Sequence, residues 1–217
     1  MFKKAAVAFA LITTLSVGAA YAASDDYDKG VAFLRAGRAE EALKVLTPLS
    51  RKDPKDPYVR YHIGLALYKM GSLDEASEEF NKAAEISGGK AREELGIGAA
   101  FSNLGIAYYR KKELAKAEEA LLRALDFDTS DGDSRYYLGL VLTDKGLYAG
   151  ALSQLDMAFS LKASDTKAKA AVLVARGLVF YRQEDMGKAV AEFGRALEAD
   201  PDSVQGLYYM GLANYRE

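Results

Sequence analysis

The chain has 217 residues, half of them hydrophobic and 28% charged, with only four prolines, a composition that excludes a disordered polypeptide. Its 29 basic and 31 acidic residues give a net charge of −2, which lacks the basic excess demanded by a phosphate backbone and argues against a nucleic-acid partner. The absence of cysteine rules out disulfides, thiolate metal sites and a cysteine-linked lipid anchor, so burial alone must hold the chain together.

At the N-terminus, Lys3 and Lys4 precede a mostly apolar run over residues 5–17, followed by Ala20-Tyr21-Ala22. This order of charged, apolar and small residues predicts a secretory signal peptide over residues 1–22, cleaved after Ala22. The apolar run is shorter than the ~20 residues a membrane-spanning helix needs. Loss of the two lysines would leave 27 basic and 31 acidic groups, a net −4. The expected destination is the periplasm or the exterior, with no transmembrane segment after cleavage.

Beyond the leader one unit recurs. Gly30, Gly64, Gly105, Gly139, Gly177 and Gly211 follow one another at separations of 34, 41, 34, 38 and 34 residues. Ala42, Ala76, Ala117, Ala151 and Ala189 keep that spacing, and so do Leu46, Phe80, Leu121, Leu155 and Phe193. Self-similarity at this period means stacked supersecondary units. Within residues 98–131, Phe101, Leu104, Gly105 and Tyr108 form one helical stripe, and Ala117, Leu121 and Ala124 form a second. The polar Lys111-Lys112-Glu113 separates them, which predicts helix–turn–helix. Gly105 and Ala117 are small because two helix axes approach there, with Leu121 and Tyr108 filling the space on either side.

Gly37, Gly71 and Gly146 share one place in the turn, where a helix end calls for left-handed backbone. Ser72 with Glu75 has capping-box spacing, and Asp56-Pro57 reads as a cap followed by proline at the first helical position. Eleven helices are predicted, five pairs and one single. Seven extra residues fall between Ala83 and Gly105, and four between Ala158 and Gly177. They should lengthen the following leading helices, which would begin soon after Gly88-Gly89 and after Ser164.

These residues resemble the tetratricopeptide repeat. Leu104-Gly105 with Tyr108, Ala76 with Phe80, Ala189 with Phe193, and the closing Pro54 and Pro201 carry the likeness. It implies an all-α, right-handed superhelical solenoid of about five and a half repeats. The units fall at about 23–56, 57–90, 98–131, 132–165 and 170–203, with a partial one over 204–217. The chain departs from the pattern in having no tryptophan, in Asp26 and Lys29 on the first leading helix, and in Arg176 at a leucine place. The first-helix changes suit a terminal unit facing water.

A second stripe runs along every leading helix, and in proteins similar to this one that face lines the concave side and holds a peptide. It contributes Tyr27, Tyr61, Tyr68, Lys69, Tyr109, Arg110, Tyr136, Tyr181, Arg182, Tyr208 and Tyr215 as candidate partner-binding residues. Tyrosine offers area and a hydroxyl at low entropic cost, and arginine a planar donor fork. Five of six units end the stripe on a cation, Asp144 being the exception, so the groove should favour acidic-apolar segments or a partner helix. The tyrosines equally suit lateral packing, and the cations equally suit helix ends that complement the dipole. The interleaved Val31, Leu65, Ile106, Leu140, Leu178 and Leu212 are expected to pack between neighbouring helices. A carboxylate clamp needs asparagines where Val31, Leu65 and Ile106 stand, which argues against one.

His62 is the only histidine and is expected at the surface, so histidine-based metal sites and most acid–base schemes lack their parts. Asp74, Glu75, Glu78 and Glu79 read as a solvated outer face. No catalytic residue, cofactor or metal is expected. Leu207, Tyr208, Tyr209 and Met210 on the final leading helix have no trailing helix to cover them, which suggests a truncated sequence or a covering chain. The reading is a non-catalytic scaffold of the cell envelope that binds other envelope proteins. The alternatives are a glycan-recognising adaptor in polysaccharide export or assembly, and a structural component self-associating through its C-terminal end.

Overall fold

A computed structural model describes residues 25–88, 94–162 and 165–216, so the leader and Gly89 lie outside the described residues. Among them run eleven helices: α1 (Asp25–Arg35), α2 (Ala39–Lys52), α3 (Pro57–Met70), α4 (Leu73–Ile86), α5 (Ile97–Arg110), α6 (Leu114–Phe127), α7 (Gly132–Asp144), α8 (Tyr148–Leu161), α9 (Thr166–Arg182), α10 (Met186–Ala199) and α11 (Val204–Arg216). Odd-numbered helices lead and even-numbered helices trail. Each leading helix packs on its own trailing helix, and each trailing helix on the next leading one, so the fold is an all-α solenoid.

The seam inside each pair is built from the recurring residues. A Cβ on Gly30, Gly64 or Gly139 would fall 2.6 Å from Leu46, Phe80 or Leu155 respectively. Ala42, Ala76, Ala117, Ala151 and Ala189 are fully buried beside these contacts. The buried side chains form three clusters: one in the first two units, a large central one, and one around Phe193 and Ala213.

Asp56 caps α3 as expected, accepting from the backbone N–H of Tyr58 at 2.8 Å and of Val59 at 3.2 Å. Ser72 does not form the expected capping box, for its side chain makes no cap hydrogen bond. The turn is closed by backbone instead: Gly71 has φ 83°, and the N–H of Ser72 donates to the Leu67 carbonyl at 3.0 Å. Gly37 and Gly146 adopt the same left-handed backbone, each with φ 76°. In the third and fifth units that place is held by Lys112 (φ 64°) and Glu184 (φ 63°).

The two insertions behave differently. α9 begins at Thr166 and has 17 residues, so the fifth unit's leading helix is lengthened as expected. α5 has only 14 and starts at Ile97, not soon after Gly88-Gly89. Gly96 just before it has φ 62°, a conformation no α-helix can contain, while the neighbouring Leu95 is buried in the core. Arg176, at its leucine place, is accommodated by ion pairs to Asp156 on α8 (3.4 Å) and Glu192 on α10 (3.2 Å).

Candidate partner-binding groove

Curvature follows from which helices meet. Consecutive leading helices touch one another from α1 to α11, whereas consecutive trailing helices make far less contact. The leading helices therefore lie on the inner side of the bend.

The tyrosines of the second stripe are not equivalent. Tyr27, Tyr68, Tyr109, Tyr136 and Tyr181 are half-buried, and Tyr208 and Tyr215 are exposed. Tyr61 departs from the expectation of a groove contact. It is 9% exposed, because its ring packs 5.6 Å from Phe80, the residue that fills the Gly64 seat. Tyr109 meets Tyr137 edge-on at 5.9 Å, and Tyr137 meets Tyr136 at 5.2 Å, so the α5 and α7 rings form one aromatic bridge. Tyr137 has no counterpart in the sequence stripe, and only its neighbour Tyr136 could have signalled it. Burial pushes the hydroxyls of Tyr61 and Tyr136 up to about 12. Burial raises Tyr109 further, aided by the Asp144 carboxylate. All these phenols are therefore neutral donors at physiological pH. The aliphatic members Val31, Leu65, Ile106, Leu140, Leu178 and Leu212 are half-buried.

The cations at the helix ends mostly lean back on the preceding leading helix. Arg182 Nη2 lies 2.8 Å from Asp144 on α7, and Lys112 Nζ approaches the same carboxylate at 3.6 Å. Lys112 also sits 5.1 Å from the Tyr109 ring centroid. Arg216 lies over the Tyr181 ring at 4.8 Å. Arg110 is close enough to Tyr68 to oppose the upward shift that burial imposes on its hydroxyl. Arg110 and Lys69 are exposed, and among the described residues neither makes an ion pair. Asp144 and Lys112 thus contact candidate residues although neither was itself a candidate. The lone acid in a row of cations was the available signal for Asp144.

His62 is not the surface residue expected. Its Nδ1 lies 2.7 Å from the Tyr58 carbonyl and 3.2 Å from the Tyr27 hydroxyl, with the Tyr27 and Tyr61 rings edge-on to it. Burial lowers its pKa, and Arg35 adds to the effect. On the acidic face of α4, Asp74, Glu75 and Glu78 are exposed as expected, and Glu79 is half-buried. Glu79 pairs with Arg60 at 3.0 Å and Lys82 at 2.8 Å, and Asp74 accepts from the Tyr108 hydroxyl at 2.7 Å. Among the described residues no cluster of histidine and carboxylate side chains could hold a metal ion. No described helix is long and apolar enough to cross a membrane.

Two family models described as tetratricopeptide repeat match the chain, one over residues 58–130 and the other over 103–165 and 174–217. No curated protein matches it by sequence. Among solved structures it is similar to YrrB, described as a TPR protein with an unusual peptide-binding site. The TM-score is 0.68 and the identity 21%, over 84% of this chain and 89% of that one. It is also similar to MamA, at a TM-score of 0.64 and 23% identity over 81% of this chain and 96% of that one. MamA from Desulfovibrio magneticus RS-1 gives a TM-score of 0.64 and 21% identity over 83% and 98% of the two chains. At these identities the likeness concerns the fold, a right-handed superhelical array of helix pairs.

Proposed function

Because the chain belongs to the tetratricopeptide repeat family, we propose that it is a non-catalytic scaffold that holds a peptide or helix of another protein along its concave face. The observation that carries this reading is the run of half-exposed rings on consecutive leading helices, Tyr68, Tyr109, Tyr136 and Tyr181. Partly packed rings lose little freedom when a ligand covers them, and their hydroxyls add hydrogen bonds to the apolar contact. The described YrrB structure, a relative in fold, has a peptide-binding site, which supports the same use of this architecture.

The proposed place of action is the cell envelope, after export. The support is the Lys3-Lys4 leader with its apolar run and Ala20-Tyr21-Ala22, together with the cysteine-free chain. The partners are then other envelope proteins.

The test is affinity capture from envelope extract with wild type, Tyr109→Ala and Tyr181→Ala, each checked for folding by circular dichroism. Wild type should recover specific proteins that both variants lose. Recovery of the same proteins by all three would refute the groove reading. An N-terminal sequence of the secreted protein that starts before Ala23 would refute cleavage at the predicted site.

A further inference from the structure

The rim of the groove carries equivalent positions at the ends of the six leading helices: Arg35, Lys69, Arg110, Asp144, Arg182 and Arg216. A cation there complements the helix dipole, which accounts for its recurrence but not for its partners. Arg216 lies over the Tyr181 ring and, among the described residues, makes no ion pair; the partners of the other five divide them in two. Arg35, Lys69 and Arg110 are exposed and, among the described residues, make no ion pair with a carboxylate. Beyond them Asp144 takes up both Arg182 at 2.8 Å and Lys112 at 3.6 Å.

Lys112 reaches that carboxylate from left-handed backbone at φ 64°, at the place where the first, second and fourth units have glycine. A side chain there is strained, and the strain is borne by the residue that places a second cation on Asp144. The side chain of Asp144 is only 16% exposed, and besides the two cations it holds a hydrogen bond with the Tyr109 hydroxyl. Asp144 thus stands where an acidic ligand would otherwise meet Arg182.

We infer that the groove selects an acidic segment of a partner protein. The segment's carboxylates are taken at the rim of α3 and α5 by Lys69 and Arg110, beside the Tyr68 hydroxyl. Asp144 acts as a built-in counter-ion that closes a second, equivalent acid site formed by Arg182 and Lys112. Specificity then comes from attraction at one half of the rim and occlusion at the other. This inference rests on the groove reading above and adds to it the ligand's charge and the place where that charge is read. It also gives Arg110 and Arg182 different roles.

The test is selection of twelve-residue peptides from an unbiased displayed library on the full chain, followed by fluorescence polarisation of the selected peptides. The variants are Lys69→Glu with Arg110→Glu, Arg182→Ala, Asp144→Asn and Tyr68→Ala. Selected peptides should be rich in Asp and Glu, and their binding should weaken as salt rises from 0.05 to about 0.5 M. The double reversal should weaken them by ~10-fold or more, and Arg182→Ala by less than ~2-fold. Asp144→Asn should strengthen peptides with two separated acidic groups by roughly 3- to 10-fold, because it releases two cations.

Selection of neutral or basic peptides that depend on Tyr68 but not on the charge variants overturns this inference and leaves the groove reading standing. A loss with Arg182→Ala as large as that of the double reversal, or no gain with Asp144→Asn, overturns it as well. Failure to select any peptide, or selection of peptides indifferent to Tyr68→Ala, removes the groove reading and this inference together. Binding of a soluble polyuronate in place of peptides overturns the protein-partner assignment.

Discussion

Gly105 and Leu121 lie so close that a Cβ on the glycine would fall 2.5 Å from Leu121 Cγ, with the Ala117 carbonyl oxygen at 3.2 Å. The α5–α6 crossing exists because a side chain is missing. Gly105→Ala must push Leu121 out of a fully buried seat and should destabilise by about 1–3 kcal/mol. Gly211 holds the equivalent place on α11, and a Cβ there meets nothing within 4 Å. Gly211→Ala should therefore stabilise, by up to about 1 kcal/mol, through helix propensity alone. Urea titration of both variants checks the contrast, and equal shifts of the same sign would refute the seam argument.

Tyr108 links two units, its hydroxyl donating to Asp74 at 2.7 Å while its ring is 3% exposed. Asp74 is well solvated and also paired with Lys116, so the bond is worth less than a buried one. Tyr108→Phe should cost about 0.5–1 kcal/mol, and Asp74→Ala a similar amount. A double-mutant cycle that finds no coupling between the two would remove the bond from the account.

Burial lowers the pKa of His62, with Arg35 adding to the effect and the Tyr58 carbonyl opposing both. The unfolded chain therefore takes up its proton at a higher pH than the native one, near the ordinary value of 6.5. The stability that His62 contributes is complete above that pH and is lost progressively as pH falls below it. Urea midpoints should drop between pH 7.5 and 5.5 in wild type, and the drop should be smaller in His62→Gln. An identical pH dependence in the variant would show that other groups cause it.

Glu184 adopts φ 63° at a turn position where glycine carries no steric penalty. Glu184→Gly should stabilise by about 0.5–1 kcal/mol, the relief of left-handed strain exceeding the entropy cost of glycine. Lys112→Gly should gain less, since it also removes the contact with Asp144. Thermal melts at matched protein concentration separate the two, and a loss at Glu184→Gly would mean that its side chain makes an unrecognised contact.

Much of the architecture was legible because a helix seam constrains residue size at fixed spacing. Gly105, Ala117 and Leu121 declare their crossing without any structure, and Asp56-Pro57 declares the start of α3. What escaped depends on contacts between units. The left-handed Gly96 and the burial of Leu95 end the inserted segment, so α5 starts late, and no periodicity marks that. Tyr61 sits at a stripe position but turns to the Phe80 ring, because stripe and seam share a boundary there. Whether Arg182 is available depends on Asp144, 38 positions earlier in the chain. Spacing within one helix says nothing of such pairings.

The three clusters of buried side chains, joined only by the half-buried Leu65, Leu67 and Phe159 among the described residues, carry a mechanical consequence. Each unit grips only its neighbours, so tension applied at the two ends would be shared along the array and met by many small yielding events. The hollow could widen or tighten around what it holds by slight changes at every crossing, in the manner of a coil spring.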